Sequence, residues 1–227
     1  MTQSDIVVLV FQLAVLIFSV IIHEVSHGYV AEQLGDPTAR QAGRLTLNPL
    51  AHISFFGMVI LPLLSYFAWG IPVGGAKPVP YNPYNLKNPV KGGALIAAAG
   101  PASNFLIAVI FGILMRVINI FQIAALASVA PFFGNIIYIN ILLGVFNLVP
   151  FPPLDGSKVV NLFLPPGAQR SLTDFWEKAA ALVRRNWLLF LILFIFFFQY
   201  VLVGVFLVIE PIIKFLYALL AGQPPMI

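Results

Sequence analysis

The sequence predicts an all-α, polytopic membrane protein, and both its composition and the pattern of its apolar stretches indicate this class. Of its 227 residues, 60% are hydrophobic and 9% are charged, and the mean hydropathy is +0.98. Soluble domains average about 45–50% apolar and about 25% charged residues, so a water-soluble globule could not bury this much apolar surface. The apolar stretches are long and do not alternate with period two, which favours a helical bundle over a β-barrel.

Four stretches are predicted to span the membrane, because each is long and apolar enough to cross a hydrocarbon core of roughly 30 Å as a helix. They are residues 6–34, 94–121, 131–157 and 187–220. A further unit, residues 53–93, begins apolar and becomes rich in proline and glycine after residue 70. That composition favours extended or turn structure. We therefore expect this unit to be re-entrant, with a helical half and an extended half.

Charge and cysteine content exclude several kinds of function. The net charge is +4, from 12 basic and 8 acidic residues. Most basic residues lie between apolar stretches, where the positive-inside rule explains them, so we expect no nucleic-acid partner. The chain has no cysteine, which excludes disulfides, thiolate zinc sites and cysteine nucleophiles.

Two of the three histidines lie in the sequence His23-Glu24-Val25-Ser26-His27, at the end of the first apolar stretch. Positions i and i+4 share one face of a helix, so both imidazoles can bind one metal ion, with Glu24 close enough to hold water at the metal. Ionisable groups beside a membrane are costly unless they are paired or coordinated. The alternative is a pair of interfacial histidines beside a glutamate that reaches water.

A catalytic zinc site commonly has three protein ligands and one open position, so a third ligand is needed: a carboxylate or His52. Asp155 is the best candidate, since it is the sole acidic residue between Asp36 and Asp174. The prolines just before it interrupt the helix and allow its side chain to turn inward. The alternative is that Asp155 caps the segment that follows it.

Three motifs together resemble the site-2 proteases, which are zinc metalloproteases that cut peptide bonds within membranes. The motifs are His23-Glu24-x-x-His27, Ala99-Gly100-Pro101-x-x-Asn104 and Asn147-x-x-Pro150-x-x-Pro153-Leu154-Asp155-Gly156. Residues 43–53 and 76–83 further resemble the small prokaryotic branch that lacks PDZ and CBS domains. One position departs from that branch, which commonly has Asp where this chain has Ser54.

The resemblance implies a single transmembrane metalloprotease domain over residues 1–227. Its catalytic core would cover about 6–160. The motifs do not extend into residues 161–227; there the polar composition of residues 161–186 predicts a segment at the membrane surface, and the apolar stretch that follows predicts a final span. One zinc ion per chain would be held by His23, His27 and Asp155, with Glu24 as the catalytic base. Asn147 and Asn104 are candidates for holding the scissile carbonyl or its oxyanion; the alternative for both is a helix–helix hydrogen bond. For His52, an accessory role at the site and a structural hydrogen bond both stay open.

A shared metal ion also constrains the topology. The segments ending at His27 and Asp155 must end on the same membrane face, so an odd number of crossings separates them. With residues 53–93 re-entrant, ten of the twelve basic residues fall on the metal-site face. The positive-inside rule then orients this face to the cytoplasm of a prokaryotic plasma membrane, with the N-terminus outside.

The predicted function is hydrolysis of peptide bonds in transmembrane segments of single-span or signal-peptide-like membrane proteins. Residues 74–83 are a candidate edge strand that could pair with an unwound substrate. The alternatives are a catalytically inactive zinc-binding membrane protein and a metal transporter. The oligomeric state does not follow from the sequence.

Overall fold

The computed structural model describes residues 3–54, 76–123, 126, 129–222 and 224, and this part of the chain is helical, without strands. Its α-helices are α1 (Gln3–Gln33), α2 (Thr38–Gln41), α3 (Pro89–Ile120), α4 (Ala130–Asn147), α5 (Gly156–Val159), α6 (Pro166–Arg185) and α7 (Trp187–Ala221). Four of them, α1, α3, α4 and α7, are long and apolar enough to cross a membrane. The predicted all-helical membrane fold is confirmed, and the chain is an integral membrane protein.

The directions of the long helices follow from contacts at their ends. Gln12, in the first half of α1, donates a hydrogen bond to Asn135 near the start of α4, so α1 and α4 run parallel. His27, near the end of α1, contacts the carbonyl of Ile96 in the first turns of α3, so α3 runs antiparallel to both. Arg116, near the end of α3, donates to the carbonyl of Leu220 at the end of α7. The C-terminal ends of α1 and α4 therefore lie close together in space. Between these two helices the described chain crosses the bundle once, as α3.

Two helix boundaries differ from the predicted ones for local reasons. α3 begins at Pro89 rather than at residue 94, because Asn88 accepts a hydrogen bond from the Lys91 amide and Pro89 occupies the first helical position, where a missing N–H costs nothing. α4 ends at Asn147 rather than at residue 157. Pro150 is the first of three prolines between Asn147 and Asp155, and a proline can neither donate a helical hydrogen bond nor fit inside a helix without strain.

The other predicted units are described to different extents. The last predicted span is one continuous helix, α7, which passes through Pro211 without ending. Of the predicted re-entrant unit 53–93, residues 55–75 lie outside the described residues. Residues 76–82 have no regular secondary structure; we call them the extended segment. A 3-10 turn, Pro83–Asn85, follows, and residues 89–93 already belong to α3.

The main hydrophobic core lies between α3, α4 and α7. It is made of large apolar side chains that are almost completely buried, among them Met115, Ile137, Ile141, Ile213 and Tyr217. This core is nearer to the membrane face opposite the end of α1. It holds α3 and α4 as a rigid pair against which α1 packs.

A buried carboxylate joins the end of α1 to the segment that follows the undescribed residues. Gly35, at a φ of +103°, follows the end of the helix, and Asp36 next to it is completely buried. The Asp36 carboxylate accepts hydrogen bonds from the Thr38 hydroxyl, the Asn82 amide and the Asn85 side chain, at 2.5, 2.6 and 2.7 Å. Burial by itself would raise the pKa of Asp36, but these hydrogen bonds outweigh it and lower the pKa below its usual value.

We expect Asp36→Ala to lower the free energy of unfolding by about 2–3 kcal/mol, because it leaves buried donors without an acceptor. Since the folded-state pKa is lowered, the contribution of Asp36 is complete above its unfolded pKa of about 3.9 and is lost as the pH falls through the folded value. Thermal unfolding in detergent at neutral and acidic pH measures both effects. Asp174→Ala, which removes an exposed carboxylate, is the matched control, and an equal loss in the two variants would contradict the role given to Asp36.

Candidate metal centre

Two imidazoles and one carboxylate converge where α1 meets the loop after α4. The Nε2 atoms of His23 and His27 lie 3.1 and 3.3 Å from the same oxygen, Oδ2 of Asp155. The two rings are 4.6 Å apart between centroids and nearly perpendicular, at 88°. The three candidate ligand atoms, one each from His23, His27 and Asp155, all lie within 4.8 Å of one another. The structure thus brings together the three residues that the sequence named as candidate metal ligands.

Hydrogen bonds at the opposite ring nitrogens orient both imidazoles. Nδ1 of His27 lies 2.6 Å from the carbonyl oxygen of Ile96, and Nδ1 of His23 lies 2.7 Å from Oδ1 of Asn104. A carbonyl oxygen can only accept, so these contacts place the proton on Nδ1 in each ring. This leaves each Nε2 as the atom that would coordinate a bound metal ion, as in other histidine metal sites.

Asn104 belongs to a buried polar chain that continues away from the metal position. Its side-chain amide donates to Oδ1 of Asn140 at 3.0 Å, and the amide of Asn140 donates to the Ser19 hydroxyl at 3.0 Å. Asn104 and Asn140 are fully buried. The sequence makes Asn104 a candidate for binding the scissile carbonyl, but both ends of its amide are engaged within the protein. The geometry makes it a residue that orients His23.

Gly100 lets the backbone of α3 approach the two histidines. A Cβ atom at this position would lie 2.5 Å from Nε2 of both His23 and His27, so any side chain would occupy the space between them. Pro101 follows within the helix and removes the N–H that would otherwise bond to the carbonyl of Ala97, a residue that lines the cleft described below. The motif in the sequence contains Gly100, but only the packing of α3 against α1 shows why a side chain is excluded there.

The loop after α4 delivers Asp155 to the histidines. Residues 148–155 leave the helix, with a cis peptide bond between Pro152 and Pro153. Gly156 then packs so tightly that a Cβ atom would lie 2.2 Å from the carbonyl oxygen of Leu148. Gly156 does not have a positive φ. The glycine that follows Asp155 in the motif is therefore required by close backbone packing rather than by its backbone conformation.

Glu24 is held by the backbone of the extended segment. Its Oε2 accepts a hydrogen bond from the Val79 amide at 2.9 Å. The extended segment is itself fastened by two contacts: Arg44 donates to the carbonyl of Lys77, and the Lys77 amide donates to the carbonyl of His52 at 3.0 Å. The position of the Glu24 carboxylate thus depends on a chain of backbone contacts that sequence patterns do not reveal.

The described part of residues 74–83 does not favour the edge-strand prediction. The amides of Lys77, Val79 and Asn82 are already bonded within the protein. Pro78 and Pro80 have no N–H to offer to a substrate strand. Residues 74 and 75 lie outside the described residues.

These groups surround a cleft of about 200 Å³. The residues that line it include the two histidines and Asp155, together with Glu24, Asn147, Val79, Tyr81 and Lys158. The amide of Asn147 donates to the carbonyl of Leu143, one turn earlier in α4.

His52 is not among the residues that line the cleft. It is buried, and its Nε2 lies 2.8 Å from the carbonyl oxygen of Thr46. Its contacts favour the structural alternative over an accessory role.

The donor set fits a zinc ion. Two imidazole nitrogens with oriented rings and one carboxylate oxygen are the three protein ligands of a catalytic zinc site, and the cleft leaves a fourth position open to water or substrate. Fold and site together define this protein as an integral membrane protein with a His–His–Asp zinc centre.

Comparisons with known proteins identify the family. The model of peptidase family M50 matches residues 113–194. YwhC of Bacillus subtilis is 38% identical over 163 residues, which cover 70% of this chain and 71% of YwhC. The chain belongs to peptidase family M50, the site-2 proteases.

More distant relatives agree with this assignment. Rip2 of Mycolicibacterium smegmatis is 31% identical over 69% of this chain and 58% of its own length. MJ0392 of Methanocaldococcus jannaschii is 28% identical over 67% of this chain and 34% of its own length. The names of YwhC, Rip2 and MJ0392 all contain the words zinc metalloprotease, as a provisional designation in the first two. No solved structure matches the chain.

We expect Asn104→Ala to weaken zinc binding by about 10-fold to 100-fold, because His23 then loses the acceptor that orients its ring. Asn104→Asp keeps an acceptor for Nδ1 of His23 and should retain most of the affinity. Chelator competition on the purified protein measures the change. Asn135→Ala, which removes an amide that contacts Gln12 instead of a histidine, is the control; unchanged zinc affinity in Asn104→Ala would contradict the orienting role.

We expect Gly100→Ala to abolish zinc binding, because the added methyl group would occupy the space between the two Nε2 atoms. Gly93→Ala is the matched control in the same helix, since a Cβ there would meet the Tyr81 hydroxyl at an ordinary 3.4 Å. The zinc content of both variants after purification, with circular dichroism to verify folding, tests the claim. A folded Gly100→Ala protein that retains zinc would contradict it and show that α3 can move away.

Proposed function

We propose that this protein hydrolyses peptide bonds in transmembrane segments of other membrane proteins. The observation that carries the proposal is the convergence of His23, His27, Asp155 and Glu24 in one cleft, at the ends of membrane-spanning helices. A peptide bond must reach this cleft from within or beside the bilayer. The substrates we propose are single-span or signal-peptide-like proteins.

Several residues of the cleft have a chemical role in this reaction. The two histidines and Asp155 would hold a zinc ion, which would supply the Lewis acidity that activates water near neutral pH. Glu24 accepts the proton of the attacking water and then donates it to the leaving amine. The Val79 amide holds Oε2 of Glu24 in place, so the carboxylate of the base is already positioned before the reaction begins. We assign to Asn147, which lines the cleft, the role of binding the substrate carbonyl or its oxyanion.

A cytoplasmic orientation of the cleft is part of the proposal. Arg116 and Lys214 lie toward the ends of α3 and α7, at the membrane face away from the cleft. The other ten basic residues belong, in the proposed topology, to the face on which the cleft opens. The positive-inside rule assigns this face to the cytoplasm.

We expect Glu24→Gln to lower the rate of peptide cleavage by about 10²-fold to 10⁴-fold, because the variant lacks the group that transfers the proton. Its zinc content should stay unchanged, since Glu24 is not a ligand. Asp155→Asn should instead lose zinc affinity and cleavage together. The assay uses detergent-purified protein, one equivalent of zinc and a single-span peptide, with products identified by mass spectrometry.

Glu177→Gln makes the same chemical change on the exposed surface of α6 and should cleave at the wild-type rate. Cleavage that survives Glu24→Gln would refute the assigned base. If the wild-type protein binds zinc but cleaves no membrane peptide, the inactive zinc-binding alternative replaces the protease; zinc accumulation inside sealed vesicles would establish the transporter.

A further inference from the structure

An amphipathic helix joins the metal-ligand loop to the last membrane span. This helix, α6, begins at Pro166, shortly after Asp155 in the chain, and ends at Arg185. Gln169 in its first turn donates to the carbonyls of Asn161 and Leu164, at 2.8 and 2.9 Å. These bonds fix the start of α6 to the segment that follows the metal-ligand loop.

The end of α6 lies close to the membrane. Only Asn186 separates it from α7, which begins at Trp187 and has no charged residue before Glu210. Because the start of α6 is tied to the segment after the metal-ligand loop and its end is joined to α7, both ends of the helix lie close to the bilayer. Within residues 161–186, where the sequence predicts a segment at the membrane surface, α6 is the element that can lie there.

One side of α6 carries apolar residues, two of which are strongly exposed. Its apolar residues recur every three or four positions, at Leu172, Phe175, Ala179 and Leu182, and therefore lie along one side of the helix. Phe175 and Leu182 are 58% and 59% exposed. Large apolar side chains exposed along one face of a polar helix are typical of helices that lie in the membrane interface.

The charges of α6 favour an anionic membrane surface. The helix contains two acidic residues and four basic ones, which are Arg170, Lys178, Arg184 and Arg185. Lys178 is exposed and follows Phe175 by three positions, so its ammonium group can reach headgroups while Phe175 enters the interface. Basic residues next to a span are attracted to anionic lipids.

An aromatic contact connects α6 to the loop that carries Asp155. The rings of Trp176 and Phe151 meet edge to face, with centroids 5.6 Å apart and an angle of 83°. Phe151 is part of a tight turn, because the Leu154 amide donates to its carbonyl at 2.9 Å. Asp155 is the next residue after this turn. Because Trp176 packs against Phe151, any contact that fixes the position of Trp176 also restrains the loop that carries Asp155.

We propose that α6 binds the anionic lipid headgroups of the leaflet on which the metal site opens, and that the Trp176–Phe151 contact passes this attachment to the Asp155 loop. Anionic lipid is then a ligand that raises the zinc affinity of the site. The inference depends on the metal centre of the proposed function but not on peptide cleavage, so the two can fail separately.

The absence of native cysteine allows single spin labels to test the lipid contact. Labels at Phe175→Cys and, as the matched control on the polar face, Ala181→Cys are compared in phosphatidylcholine vesicles with and without phosphatidylglycerol. We expect the label at 175 to become accessible to oxygen and shielded from a water-soluble nickel chelate when phosphatidylglycerol is present, while the label at 181 stays accessible to nickel. Equal nickel accessibility at both positions overturns the proposal, and shielding at 175 that depends on protein concentration in detergent assigns the face to a second copy instead.

Zinc affinity tests the connection to the site. Chelator competition in the two kinds of vesicle should show several-fold tighter zinc binding with phosphatidylglycerol. Trp176→Ala should remove this difference, whereas Trp176→Phe, which keeps an aromatic edge for Phe151, should preserve it. Lys178→Glu should reduce the difference while leaving zinc affinity in phosphatidylcholine unchanged. Equal zinc affinity of the wild type in the two vesicles, or a full lipid effect in Trp176→Ala, overturns the connection.

Discussion

The structure depends on holding two imidazoles with their Nε2 atoms directed at one point. Each ring has two nitrogens, and the direction of the metal-facing one is set by the partner of the other. The Ile96 carbonyl and the Asn104 side chain supply these partners, and both belong to α3. The antiparallel contact of α1 and α3 is thus the element of the fold that creates the site, and the rest of the bundle keeps this contact in place.

Burial of polar groups explains the composition of the interior around this contact. A polar group inside a membrane protein is costly unless it is hydrogen-bonded. Asn104, Asn140 and Ser19 satisfy one another in a chain that ends at His23. Gly100 contributes by its small size, since it allows backbone to approach where a Cβ would collide with the imidazoles. Because these polar groups are hydrogen-bonded to one another and Gly100 has no side chain, the two histidines fit inside the bundle.

The site combines residues from a long helix with residues positioned by non-helical segments. The histidines lie on a helix of 31 residues, whereas Asp155 lies on a loop and Glu24 is held by an extended segment. Both non-helical parts are fastened by a few specific contacts: the turn at Phe151 packs against Trp176, and the Val79 amide bonds to Glu24. Sites of this kind are sensitive to what touches the loops, which is why α6 is placed to influence the metal centre.

The sequence by itself determined the membrane class and the helical spans, because hydropathy and its periodicity are local properties of the chain. The i, i+4 spacing also singled out the histidine pair, and the scarcity of carboxylates singled out Asp155. Only the tertiary structure decided that Asn104 orients His23 instead of facing the cleft, that His52 bonds to Thr46, and that the Val79 amide holds Glu24. These partners are set by how helices and loops pack against one another. No local pattern encodes that packing, since most of the residues it joins are far apart in the chain.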